Sequence, residues 1–270
     1  MNTSLSAESL EKITGRLRLA MAGVAKRYPG ESDRRQPVHT VYGGAHLFKS
    51  DTVIKLGQLA VRSFEAYAAD VATFADVFDL SPDIAATIYE RVGEKLRREA
   101  VEDFRIDFED GYGSRADLEE DGHAVAAAGE VAKGMAMDTL PPFMGIRIKA
   151  FSEEMLARSI RTLDLFLTTL VAASGGRLPD NFVVTLPKIV ASEQVHALVE
   201  IFDELEPKLG LTADSLKMEM MIETTQSIID VDGRIAMPRL LEAARSRCTA
   251  VHFGAYDYTA SCGITAAYQD

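Results

Sequence analysis

Phe104-Arg-Ile-Asp-Phe-Glu-Asp-Gly-Tyr-Gly113 alternates apolar and charged residues until it stops at Asp110-Gly111. Side chains along a strand point to opposite faces in turn. Phe104, Ile106 and Phe108 therefore share one face, and Arg105, Asp107 and Glu109 share the other. Such a strand is either a solvated edge or the wall of a polar active site.

Working outward, five more short apolar runs read as strands: Val38–Tyr42, Met144–Lys149, Phe182–Leu186, Lys217–Ile222 and Thr249–Gly254. From Phe104 onward the strand starts fall about 30 to 40 residues apart, one strand-plus-helix unit each, which implies parallel strands joined by helical crossovers. The helices between them are readable. Leu156, Ile160, Leu163, Leu167 and Leu170 recur at intervals of four and three, after Glu153 and Glu154 and before Gly175-Gly176. Val195, Leu198, Phe202 and Leu205 repeat the pattern between Ser192 and Pro207. A polar N-terminal extension covers residues 1–37. Residues 38–270 form one domain, with a helical insertion over about 51–100 and no low-complexity linker.

This alternation suits a doubly wound sheet or a TIM (β/α)8-type barrel. Gly43-Gly44 lacks the dinucleotide-binding glycine spacing, and no phosphate-binding loop motif occurs. Charged residues gather instead at the carboxyl ends of several strands, where barrels place their sites. The barrel is the expected fold, with only about six of eight β/α units in this chain. An uncovered parallel edge would favour association, and a homo-oligomer is expected.

Composition excludes several classes. A formal charge of −12 without a basic stripe argues against nucleic-acid binding, which needs basic surface. No apolar run is long enough for a membrane span, and the first twenty residues lack the apolar core of a secretory signal. Two cysteines, Cys248 and Cys262, suit packing rather than a disulfide framework or a zinc site. Together these features point to the cytoplasm.

The residues able to do chemistry stand at the strand ends: Asp107, Glu109 and Asp110, then Arg147, Lys188, Glu223 and Asp257. Two carboxylates such as Glu223 and Asp257, leaving neighbouring buried strands at one rim, would repel unless a cation or proton lies between them. Carboxylate oxygens plus water are the ligand set of Mg²⁺ or Mn²⁺. Glu223 also suits the first turn of the next helix. An inward Arg147 needs an anion: a substrate, or Asp107 or Glu109 as an ion-pair partner. Lys188 suits a solvated rim. His46, just after the first strand, is a candidate acid or base, whereas His252 reads as a packed core histidine.

Phe108-Glu-Asp-Gly111, Ile146-Arg-Ile-Lys149, Leu186-Pro-Lys188, Met221-Ile-Glu-Thr224 and Phe253-Gly-Ala-Tyr-Asp257, in that order, resemble the strand motifs of the HpcH/HpaI aldolase and citrate lyase β-subunit family of the phosphoenolpyruvate/pyruvate superfamily. The resemblance spans about Val38 to Gly263. It departs from the family in the longer insertion, in Tyr256 where a Glu is more familiar, and in lacking the last two barrel units, which suggests a larger, truncated aldolase-like subfamily. The resemblance implies that Glu223 and Asp257 hold Mg²⁺ and that Arg147, with Lys188 beside it, binds a pyruvate-like or acyl substrate. Glu109 and Asp110 would order water or the arginine beside the metal. The expected activity is a Mg²⁺-dependent carbon–carbon lyase or aldolase on a small-molecule 2-oxo acid, with His46, Asp107 or a metal-held water as the base. Alternatives are a lyase, condensing enzyme or hydrolase for an acyl-coenzyme A thioester at the same site, and an inactive barrel fragment acting as a partner-binding module.

Overall fold

A computed structural model describes residues 4–30 and 33–269 of the chain. It divides into two compact units, residues 1–36 and 37–270. Among its described residues the first carries one helix, α1 (Ala7–Arg27). The Ser6 hydroxyl caps it by accepting from the Ser9 N–H at 3.1 Å. Glu8 in its first turn and Lys26 and Arg27 in its last complement the helix dipole.

The second unit is built on six parallel strands whose spatial order equals their chain order. They are β1 (Val41–Gly44), β2 (Asp103–Asp107), β3 (Phe143–Arg147), β4 (Phe182–Leu186), β5 (Lys217–Ile222) and β6 (Cys248–Phe253). A doubly wound sheet reverses its order at a switch point. None occurs here, so the fold is of the (β/α)8-barrel type with six β/α units. The sheet curls far enough that Tyr42 on β1 meets His252 Nδ1 on β6 at 3.0 Å.

The crossovers are α5 (Asp117–Met137), α6 (Leu156–Ala173) and α7 (Ser192–Lys208), then the short α8 (Thr225–Ile228) and α9 (Met237–Ala243) before β6. α2 (Thr52–Tyr67), α3 (Val71–Val77) and α4 (Pro82–Glu99) lie between β1 and β2, and α10 (Ala255–Ser261) follows β6. Phe104, Ile106 and Phe108 face outward into the main core, with Leu163, Phe166 and Leu170 of α6 and Ala124, Ala127 and Ala128 of α5. The alanines let α5 lie close to the sheet. The Phe108 and Phe166 rings meet edge to face, 6.2 Å between centroids. No helix among the described residues is long and apolar enough to cross a membrane.

Several boundaries shift from the sequence reading. Val38–Tyr42 is not a strand throughout, because its start is pinned by side chains. The Val38 N–H donates to Glu102 at 2.6 Å, and the Thr40 hydroxyl donates to Asp103 at 2.9 Å. Ladder pairing begins only at Val41. β3 ends at Arg147, and the Lys149 ammonium donates to the Phe108 carbonyl at 2.6 Å, tying the ends of β2 and β3 together. Glu153 and Glu154 precede α6 rather than opening it. Cys262 is exposed, so it does not serve packing.

Candidate functional site

The polar face of β2 lines the barrel interior, and every residue of that strand is buried. Two polar layers stack along it. In the deeper one, Arg105 donates to Asp103, to Glu219 at 2.9 Å and to the Thr185 hydroxyl at 3.2 Å. Thr185 in turn donates to Glu219 at 2.9 Å. His252 belongs to this layer, 3.4 Å from Glu219, and is not a packed core histidine. Burial and the neighbouring Glu219 charge hold the Tyr42 hydroxyl far above its ordinary range, so it stays protonated.

The upper layer lies at the carboxyl ends of the strands. Asp107, last residue of β2, receives Arg147 through Nε at 2.8 Å and Nη2 at 2.5 Å. It also accepts the Glu109 and Gly111 backbone N–H groups at 2.9 and 2.7 Å. Asp107 is therefore fully engaged in holding Arg147. The third guanidinium nitrogen, Nη1, faces Glu109 at 3.3 Å and Asp110 at 3.7 Å. The guanidinium carbon lies 4.8 Å from the centre of the Tyr42 ring.

Lys188 stands at the centre of the rim rather than free in solvent. Its ammonium lies 2.5 Å from Glu109, 3.1 Å from Asp110 and 3.3 Å from Asp257. Its backbone has a positive φ of 50°, and its N–H donates to Glu223 Oε1 at 2.7 Å. A left-handed non-glycine residue costs energy, and here it turns both the ammonium and the N–H toward the carboxylates. The other Glu223 oxygen lies beside Gly254. A Cβ at that glycine would sit 2.5 Å from Glu223 Cβ and from Oε2.

Seven predicted residues thus converge: Asp107, Glu109, Asp110, Arg147, Lys188, Glu223 and Asp257. His46 is not brought to them. It sits in the turn after β1 with its ring centre 5.6 Å from that of Tyr112 and 6.1 Å from that of His123, and burial lowers its pKa. The sequence reading missed Tyr42, Thr185 and Glu219. A signal existed for one of them: Glu219, Met221 and Glu223 share a parity, so a buried acid precedes the rim acid on the same inner face.

The electrostatics show a surplus of negative charge. Five carboxylates (Asp107, Glu109, Asp110, Glu223, Asp257) meet two cations, Arg147 and Lys188. Burial, with the Asp257 and Glu109 charges adding to it, raises Glu223 to about 7. Burial also raises Glu109, with Lys188 and Arg147 opposing. Lys188 is raised although burial opposes it, because Glu109 and Asp110 stabilise its charge. Glu109 Oε2 is buried without a hydrogen-bond partner. Among the described residues no set of three or more Asp, Glu, His or Cys stands arranged to hold a metal ion. The pair Glu223 and Asp257 nevertheless fits a hard divalent cation by its oxygen chemistry and by the uncompensated charge around it.

Beside the rim opens a cavity of about 730 Å³, bounded by Glu109, Asp110 and Lys188 on one side and by Phe151, Met155 and Val190 on the other.

No curated protein matches the chain. Among solved structures it is similar to Haloferax volcanii malate synthase in its magnesium/glyoxylate complex: 15% identity, TM-score 0.54, covering 87% of this chain and 56% of that one. The lead(II) complex of the same enzyme gives 17% identity and a TM-score of 0.51, over 70% and 51%. A citrate lyase from Burkholderia xenovorans gives 20% identity and a TM-score of 0.46, over 64% and 47%. The chain spans about half the length of these proteins. The malate synthase likenesses support the fold. By its match over residues 17–270, the chain belongs to the family described as Domain of unknown function (DUF6986).

Proposed function

We propose that the protein is a Mg²⁺-dependent carbon–carbon lyase acting on a 2-oxo acid. The observation that carries this reading is the meeting of acids from the ends of β2, β5 and β6 around Lys188, beside a buried and fixed Arg147. The magnesium and glyoxylate of the malate synthase complex agree with it, glyoxylate being a 2-oxo acid.

Glu223 and Asp257 would hold the ion. When bound, it supplies Lewis-acid stabilisation of charge developing on the oxo-acid oxygens. Arg147, held in one orientation by Asp107, places a permanent positive charge where the substrate carboxylate and the developing enolate need it. No reorganisation is required, because Asp107 is itself fixed by two backbone N–H groups. In the cleavage direction Glu109 takes the proton of the substrate hydroxyl. The carbon–carbon bond next to that hydroxyl then breaks, an aldehyde leaves, and the electron pair forms the enolate of the 2-oxo acid. The proton held by Glu109 then passes to the enolate carbon, which restores the carboxylate and completes the reaction. Lys188 keeps Glu109 oriented by its 2.5 Å contact. Burial raises the Glu109 pKa above its ordinary value, which makes the carboxylate a stronger acceptor for that proton.

Calorimetric titration with Mg²⁺ or Mn²⁺ in the absence of substrate tests the core of this reading. The wild type should bind one ion, and Glu223→Ala and Asp257→Ala should each weaken binding by about tenfold or more. Absence of binding by the wild type, or equal binding by all three proteins, defeats it.

A further inference from the structure

The cavity beside the rim is far larger than a two- or three-carbon oxo acid requires, and its chemistry is one-sided. Its far wall comes from the loops after β3 and β4. There Met155 is 40% exposed and Val190 49% exposed, with Ala150, Phe151 and Ala191 beside them and Ser152 and Glu153 as the polar members of the loop after β3. Lys149, which also lines the cavity, is already committed to the Phe108 carbonyl at 2.6 Å and to Glu120 at 3.1 Å. Lys188 is committed to the carboxylates of the rim. Both cations among the residues lining the cavity are therefore already paired with acids.

The wall is also preformed. The Gln194 side chain accepts the Val190 and Ala191 N–H groups at 2.7 and 3.1 Å, and it donates to the Phe151 carbonyl at 3.0 Å. One amide thus fastens both loops, so a ligand meets apolar surface without first ordering it.

We infer that this cleft binds an uncharged apolar group, the aliphatic or aromatic tail of the aldehyde released or consumed at the rim. This rests on the reading of the Glu109–Lys188 rim as the reacting centre. Selectivity then comes from apolar contact, which discriminates by chain length rather than by charge. Met155 and Val190 are the specificity-determining side chains.

Two measurements on the full chain separate the inference from the reading beneath it. The first needs no turnover: ¹³C-methyl NMR of the protein titrated with ethanol and with 1-octanol. Octanol should shift the Met155 and Val190 methyl signals at concentrations at least about tenfold below those at which ethanol does. Val190→Trp should abolish the Met155 shift, and Met155→Trp the Val190 shift. Both positions are half-exposed, so the larger rings should be tolerated, and a circular dichroism melt checks each variant. Octanol that perturbs neither methyl, or perturbs them equally in folded Trp variants, overturns the inference.

The second is turnover of pyruvate with acetaldehyde and with octanal in the presence of Mg²⁺. The kcat/KM should favour octanal by about tenfold or more, and the Trp variants should collapse that ratio. Turnover of both aldehydes at equal kcat/KM overturns the apolar tail and leaves the lyase standing. Octanol binding without turnover of either aldehyde defeats the lyase reading and leaves the cleft as an apolar-ligand site.

Discussion

Glu223 carries a proton in the folded, metal-free protein over a range in which it would be ionised in the unfolded chain. Its ordinary value is 4.5, and burial raises it to about 7. Between those values the native state binds more protons than the unfolded state, so stability falls as pH rises through the window. Glu223→Gln keeps an oxygen for the Lys188 N–H and removes the titration. The variant should exceed the wild type by about 1–3 kcal/mol near pH 8 and match it below about pH 4.5. Thermal melts without divalent ions check this, and a constant difference across that range contradicts it. Gly254→Ala probes the same acid sterically. The glycine has an ordinary φ of −90°, so the cost is collision with Glu223 rather than backbone strain. It should destabilise by about 1–3 kcal/mol, measured by melting, and weaken Mg²⁺ binding by calorimetry. At this scale Glu109, Asp110 and Glu223 were legible because each stands where an apolar run stops, and Arg147 because Ile146 and Ile148 flank it on the opposite face. The place of Lys188 was not: nothing in Leu186-Pro-Lys188 announces a positive φ, and that conformation is what centres the ammonium among acids from distant strands.

The elements owe their order to two opposed faces of each strand. Outer faces bury apolar side chains under α5, α6 and α7, and inner faces carry ion pairs. Phe166 on α6 is fully buried and touches the rings of Phe108 and Phe182. Phe166→Ala should cost about 3–5 kcal/mol in urea unfolding, with the far-UV spectrum unchanged. The inner face is equally demanding. Arg105→Leu leaves Asp103 and Glu219 facing each other without a cation and should cost about 3–5 kcal/mol. A loss below about 1 kcal/mol would mean that the acids had gained protons at little cost. Alternation in Phe104–Glu109 made both faces readable from sequence. The first strand was misplaced by three residues because bonds from Glu102 and Asp103, acids of the neighbouring segment, hold its lead-in, and a single-strand pattern cannot show them.

Across the whole molecule, sequential parallel pairing leaves β6 bonded to β5 with its outer face bare: Val251 is 41% and Phe253 58% exposed. An apolar face at the end of a parallel sheet favours contact with another surface. A formal charge of −12 opposes contact between copies, most strongly at low ionic strength. Self-association should therefore strengthen with added salt, as screening removes the repulsion and leaves the apolar term. Val251→Lys separates the two effects, because it places a cation on the bare face without removing a buried contact. Its unfolding free energy should stay within about 0.5 kcal/mol of wild type. Sedimentation velocity of the wild type should show a weight-average coefficient that rises with protein concentration at high salt, and the variant a flat one. Equal concentration dependence in both proteins would place any association on another surface.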